Sequence, residues 1–149
     1  MRTAMDWALV ADGQHARVFQ RPAPGGRWSE REQDATDIDN PMSHEQGRDR
    51  PGRVHESAST TRHAVEPRQD LHKAAKQAFA RQLAERLEAA ADEFGRVILV
   101  APPAFLGALR DELGDATQRK PRATLDKDLT HLPLEDLVPY LDDLAFEEA

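Results

Sequence analysis

The sequence predicts a single α/β domain in which a mixed sheet of about five strands packs against helices. Residues 97–100 (Val-Ile-Leu-Val) are an apolar run without polar alternation, which is typical of a strand buried on both faces. A long amphipathic helical pattern precedes this run and a shorter one follows it. The chain has 149 residues, enough for one domain with a sizeable core. The predicted order is β-β-β-α-β-α-β-α, in one domain over residues 1–149.

The N-terminal part of the chain predicts the first three strands. Residues 7–11 (Trp-Ala-Leu-Val-Ala) indicate a mostly buried strand, and Asp12-Gly13 is a turn signal. Residues 15–20 predict the returning strand, so that 5–21 form a β-hairpin. Residues 27–33 predict a third strand at a sheet edge.

A long helix over residues 68–94 is predicted from one apolar stripe with steps of three and four. Glu66-Pro67 is predicted to mark its entry and Gly95 its end. The stripe consists of Leu71, Ala75, Phe79, Leu83, Leu87, Ala91 and Phe94.

The last elements follow the central strand. Pro102 and Pro103 suit the first turn of a helix, and Gly114 is predicted to cap its C-terminal end. Residues 122–126 predict a shorter strand, and a final helix places Leu134, Leu137, Val138, Leu141 and Leu144 inward. Strands that alternate with helices after an opening meander predict a mixed sheet.

A long polar loop at 34–67 is predicted between the third strand and the long helix. Loops of this length inside a compact domain are usually functional or disordered. Within it, residues 47–63 carry four arginines and two acidic residues. Arginine suits phosphate, glycine permits close backbone approach, and hydroxyls can contact phosphate. The candidate RNA- or phosphate-binding residues are Arg48, Arg50, Gly52, Arg53, Ser57, Arg62 and His63. The alternative is a solvated loop whose arginines pair with local carboxylates.

Charge is distributed unevenly along the chain. Residues 126–149 contain eight acidic residues and one basic residue, Lys127, which accounts for the whole net charge of −7. A generally basic nucleic-acid-binding surface is therefore not supported. The acidic C-terminal helix is predicted to be a solvated face, with a basic protein partner as the alternative. The chain lacks cysteine, a signal-peptide pattern and a run of ~20 apolar residues, so we expect a cytoplasmic protein without membrane insertion.

Histidines and a serine in the polar loop raise the question of metal binding or catalysis. Ser57 with His55 or His63 could supply a nucleophile and a base, but no oxyanion element is recognisable. The histidine spacing fits no compact metal motif. Neither a catalytic residue, nor a metal site, nor a cofactor is predicted. The histidines are His44, His55, His63 and His72.

Ordered motifs from Trp7 to Leu144 resemble the bacterial host attachment protein family, the proteins required for attachment to host cells. The motifs that carry the resemblance are Ala11-Asp12-Gly13 with residues 16–19, residues 49–53 with Ser57, Arg62-His63, Asp70, Phe79-Ala80, Ala101-Pro102-Pro103 with Leu106-Gly107 and Leu109-Arg110, and residues 127–130 with Leu132-Pro133.

That family is similar to the middle domain of archaeal and eukaryotic class-1 peptide release factors. There, a mixed sheet with helices presents a glycine-rich loop with a Gly-Gly-Gln tripeptide ahead of a long helix. The equivalent loop here, 34–67, has Pro51-Gly52-Arg53 and lacks Gly-Gly-Gln. The resemblance implies a non-catalytic binding protein associated with the ribosome or tRNA through residues 47–63. The alternatives are a cell-attachment or stress-related protein-interaction module, either monomeric or oligomeric, and a hydrolase acting on peptidyl-tRNA or nucleic acid.

Overall fold

The computed structural model describes residues 4–23, 25–37 and 61–148, with the side chains of 61–70 outside the description. Over these ranges the chain forms one α/β domain with a six-stranded mixed sheet and four α-helices. The strands are β1 Met5–Ala11, β2 His15–Pro22, β3 Ser29–Glu30, β4 Thr36–Asp37, β5 Arg96–Val100 and β6 Arg122–Leu125. The helices are α1 Thr61–Ala89, α2 Pro103–Glu112, α3 Asp115–Gln118 and α4 Leu134–Asp142, with 3-10 turns at Glu32–Asp34 and Ala91–Glu93.

The sheet has the order β3-β2-β1-β5-β6, and β4 also pairs with β2. β1 and β2 form the predicted antiparallel hairpin, while β1, β5 and β6 are parallel. The C-terminal ends of these three strands therefore meet at one side of the sheet, here called the carboxyl edge. The predicted fold class is confirmed, with one additional short strand and one additional short helix.

The sheet is covered on both faces, which explains the apolar run in β5. Val97 and Leu99 pack with α1 and α2 on one face, while Ile98 and Val100 pack with α4 on the other. All four side chains are fully buried. A strand without polar alternation is the expected sequence for this position.

Both predicted ends of the 34–67 loop were wrong. Glu32–Asp34 form a 3-10 turn and Thr36–Asp37 form β4, because this stretch folds back along β2. At the other end, α1 begins at Thr61 rather than residue 68, with Pro67 inside it. The predicted strand at 27–33 is limited to Ser29–Glu30. Residues 38–60 lie outside the described part of the chain.

The predicted apolar stripe of α1 is buried only from Phe79 onward. Leu71 is 69% exposed and Ala75 is also exposed, so the first part of the stripe covers no core. Lys76 lies beside Gly13, since a Cβ at Gly13 would stand 3.7 Å from Lys76 Cε. α1 thus first meets the sheet at the carboxyl edge. The last turns of α1 lie near the start of β1, where the amide of Gly95 donates to the Met5 carbonyl.

Because α1 runs opposite to β1, its first residues extend past the carboxyl edge. Residues 61–76, hereafter the helical arm, correspond to about 22 Å of helix at ~1.5 Å per residue. Within the part whose side chains are described, residues 71–76 are all exposed. The described side chains of the arm, those of residues 71–76, are therefore on the surface of the domain and not in its core.

Gly114 does not cap α2 as predicted, because Leu113 is the C-cap of α2 and Gly114, in an extended conformation, is the N-cap of α3. The carboxylate of Glu88 accepts hydrogen bonds from the amides of Ala116 and Thr117, at 2.9 and 3.0 Å. A Cβ at Gly114 would stand 2.5 Å from that carboxyl group. The glycine therefore makes room for a capping residue supplied by α1.

Candidate functional site

The β1–β2 turn forms the centre of the carboxyl edge. Asp12 Oδ1 accepts hydrogen bonds from the amides of Gln14 and His15, at 2.9 and 2.7 Å. Gly13 has φ +94°, which a residue with a Cβ rarely adopts. Asp12 and Gly13 therefore form the hairpin turn that the sequence predicts.

The segment after β6 reaches the same turn. Thr130 Oγ1 lies 2.9 Å from Asp12 Oδ2 and 3.0 Å from Asp128 Oδ1. Ligand atoms of Asp12, Asp128 and His131 lie within 4.8 Å of one another, a mixed oxygen and nitrogen set suited to a divalent cation. Both Asp12 oxygens already accept hydrogen bonds, however, and Asp128 and His131 are exposed. We therefore interpret the cluster as a structural contact that holds the 128–131 segment against the β1–β2 turn.

The protonation state of Asp12 supports this anchoring role. Burial raises the pKa of its carboxyl group, but hydrogen bonds from Gln14, His15 and Thr130 outweigh burial and leave the pKa below its usual value. Asp12 is therefore ionised at neutral pH and acts as an acceptor.

Arg17 holds the 128–132 segment against β2. Its Nη1 donates to the carbonyls of Thr130 and Leu132, at 2.9 and 2.6 Å. Its Nε and Nη2 pair with Glu30 at 3.1 and 3.0 Å. The carboxyl edge is thus rigidly built where α1 passes over it.

The helical arm and the next turn of α1 carry basic side chains above this edge. Residues 71–81 include His72, Lys73, Lys76 and Arg81 and contain no acidic residue. Arg81 contacts Glu112 at 3.4 Å, which neutralises part of its charge. Lys73 and Lys76 are separated by three positions, so they lie on adjacent parts of one helix face. This face can attract phosphate groups to the exposed arm.

The sequence-predicted site residues divide into two groups. Arg62 and His63 lie in the first turn of α1 and thus on the arm, with their side chains outside the description. The sequence interpretation missed Lys73 and Lys76. The absence of acidic residues over 71–81, directly after an arginine-bearing segment, is the signal that could have found them. The predicted residues outside the described part of the chain are Arg48, Arg50, Gly52, Arg53 and Ser57.

A family model described as "Protein required for attachment to host cells" matches residues 7–141, from β1 to α4. The chain belongs to this family. The predicted host attachment family is therefore confirmed, while similarity to release factors stays a prediction. No curated protein matches the chain.

Among the described residues, no helix is both long enough and apolar enough to span a membrane. The longest, α1, has 29 residues but carries charged side chains along its length.

Proposed function

We propose that this host attachment family protein is a cytoplasmic, non-catalytic RNA-binding protein whose partner is the ribosome or tRNA. The helical arm and the preceding 47–63 segment contact phosphates in this proposal. The observation that carries it is the exposed stretch of α1 over residues 71–76 at the carboxyl edge, which carries Lys73 and Lys76 and no acidic residue. An exposed basic helix supplies the charge that phosphate contacts require.

The distribution of charge in the fold supports this orientation. The acidic residues of the C-terminal region follow β6 and include α4, which packs on the face of the sheet opposite to α1. The domain thus places α4, with Glu135, Asp136 and Asp142, on the side of the sheet opposite to α1, while Asp12 and Asp128 lie at the carboxyl edge. This placement of α4 orients the arm toward a polyanion and the acidic helix away from it.

The direct test compares wild type with Lys73→Glu/Lys76→Glu for binding to single-stranded RNA and co-sedimentation with ribosomes, at 50 and 200 mM salt. If both lysines contact phosphates, the double variant binds more weakly than wild type. The slope of log K against the logarithm of the salt concentration then becomes less negative by about 1.4, because each phosphate contact with a single strand contributes ~0.7. Arg50→Glu/Arg53→Glu should weaken binding in the same way.

A matched control is Arg27→Glu/Arg119→Glu, which makes the same change in net charge at exposed positions away from the arm. This control should bind much as wild type does. An equal loss of binding in the control and in the arm variant would show that the effect comes from the net charge of the protein and not from the arm. Wild type that binds neither RNA nor ribosomes at low salt would refute the proposal.

The non-catalytic part of the proposal has its own test. We expect purified protein to leave peptidyl-tRNA and RNA intact under conditions where it binds them. Turnover that disappears in Ser57→Ala or His63→Ala would instead establish the hydrolase alternative.

A second candidate, a protein-interaction module for attachment, is favoured by the family description and by the surface of α4. Tyr140 is 39% exposed on α4, and the exposed Asp136 lies one helical turn before it on the same face. An aromatic side chain beside an acidic group suits a basic protein partner. Tyr140→Ala should then reduce attachment of cells while the lysine variant of the arm does not. The opposite pattern would favour the RNA-binding role.

A further inference from the structure

A cavity of about 250 Å³ lies between the C-terminal half of α1 and the sheet. Its apolar wall consists of Trp7, Leu9, Val18, Leu83 and Leu87. These residues come from β1, β2 and α1, so the cavity lies at the other end of α1 from the helical arm. It therefore belongs to a different region from the proposed RNA-binding surface.

Charged groups line the mouth of the cavity. Arg31 Nε pairs with Asp34 Oδ2 at 2.6 Å, and Arg31 Nη2 lies 3.7 Å from Glu93. Arg86 donates to Thr36 Oγ1 and lies 3.6 Å from Asp34. Because Arg31 Nη1 also donates to Gln20 at 3.0 Å, the donors of Arg31 are engaged, whereas Arg86 is 43% exposed and keeps donor capacity for an anion.

The Trp7 indole is an unusual feature of the wall. Trp7 is 3% exposed, and its Nε1 has no hydrogen-bond acceptor among the described residues. Buried polar groups in proteins are nearly always paired, so an unpaired one calls for an explanation. Arg31 stacks on the same ring, with its Cζ 4.5 Å from the centroid, so the indole ring and the guanidinium both border this incompletely filled space.

We infer that this cavity binds a small carboxylic acid with an aromatic or branched aliphatic body. The body packs against Leu83, Leu87 and Val18. The indole ring of Trp7 lies against this body as part of the wall, and the carboxylate lies at the mouth, where it accepts from Arg86. The volume is below the ~300–1,000 Å³ of sites for drug-sized ligands, which restricts the ligand to a small molecule.

The test uses the indole N–H signals of the two tryptophans in ¹H–¹⁵N NMR spectra of the full chain, titrated with benzoate. We expect a saturable shift of the Trp7 signal. Trp28 serves as an internal reference, because its Nε1 donates to Asp142 at 3.2 Å on the other face of the sheet. Benzamide, which lacks the charge, should bind about tenfold more weakly, as expected when a charge-assisted hydrogen bond is lost.

Variants separate the contacts. Ala90→Leu places a larger side chain at the cavity wall and should abolish the Trp7 shift while the Trp28 signal stays in place, which shows that the fold persists. Arg86→Gln should weaken benzoate binding and leave benzamide binding unchanged. Arg81→Gln is the matched control on the same helix, since Arg81 contacts Glu112 outside the cavity.

Three results would overturn the inference. The first is wild type whose Trp7 signal does not respond to benzoate. The second is undiminished binding in Ala90→Leu. The third is the absence of any preference for the carboxylate at the mouth. Such an absence would appear as equal affinity for benzoate and benzamide, or as an equal loss of benzoate binding in Arg81→Gln and Arg86→Gln.

Discussion

Replacement of Asp6 by asparagine should cause a large loss of stability. Asp6 lies directly opposite Arg21 in β2 and Arg96 in β5, so the three residues form one row across three strands. Its carboxylate is fully buried and accepts from Arg21 Nε at 2.9 Å and from Arg96 Nε and Nη2 at 2.8 and 2.7 Å. An asparagine keeps the shape but leaves two guanidinium groups without their shared counter-charge.

The size of this loss of stability depends on how much water and which other carboxylates still surround the two arginines. Removal of one partner from a buried ion pair costs about 3–5 kcal/mol. Arg96 is 33% exposed and Arg21 keeps Asp142 as a second partner at 2.8 Å, so both stay partly compensated. We therefore expect Asp6→Asn to lower the free energy of unfolding by about 2–4 kcal/mol. At ~2–4 °C per kcal/mol, Tm falls by roughly 4–16 °C.

The effect should also depend on pH. Burial raises the pKa of Asp6, but hydrogen bonds and charge from Arg96 and Arg21 outweigh it and hold the pKa below its usual value. A lowered folded-state pKa gives stability that is present above the unfolded pKa of ~3.9 and lost as pH falls through the folded value. The difference between wild type and Asp6→Asn should therefore be full at pH 7 and shrink below about pH 4.

Urea denaturation followed by circular dichroism, at pH 7 and at pH 3, measures both effects. The control is Asp142→Asn, which removes a carboxylate that is 51% exposed from the same network and should cost at most about 1 kcal/mol. If Asp6→Asn stays within ~0.5 kcal/mol of wild type at pH 7, the row contributes little and the reasoning is wrong.

Three further sets of substitutions test the helix boundary, the cap on α3 and the hairpin turn. Phe79→Ala should cost about 3–5 kcal/mol, because Phe79 is 2% exposed and packs on Phe105, whereas Leu71→Ala should stay within ~0.5 kcal/mol in urea denaturation. A similar cost at both positions would show that the arm is packed. Gly114→Ala should displace Glu88, so its Tm should match that of Glu88→Ala and the double variant should be no worse; additive losses would contradict this. Gly13→Ala should cost about 1–2 kcal/mol at φ +94°, and an unchanged Tm would contradict the positive-φ turn.

The successes of the sequence interpretation are local features. The β1–β2 hairpin and β5 were predicted because an Asp-Gly turn and an unbroken apolar run are properties of a few adjacent residues. α1 shows the limit of such patterns. Leu71 and Phe79 occupy equivalent positions in one apolar stripe, yet only Phe79 meets the sheet. Periodicity predicts which face of a helix is apolar and does not predict where its partner surface ends.

The candidate site was predicted in part for a similar reason. Basic residues beside the 47–63 segment can be recognised in the sequence, whereas their position on an arm beyond the carboxyl edge follows from the packing of α1 over Gly13. Gly114 illustrates the same dependence, since a glycine after a helical run predicts a C-terminal cap until Glu88 is known to lie beside it.

The sequence alone determined the α/β class, the central strand and the polar character of the segment before α1, because side-chain polarity and turn chemistry act over short distances along the chain. Only the tertiary structure placed Asp6 between Arg21 and Arg96, and Trp7 beside a cavity bounded by α1. Asp6 and Arg96 are ninety positions apart. Such neighbours are set by strand register and helix packing. Burial stabilises the assembled structure as a whole, so no local sequence pattern identifies which residues become neighbours.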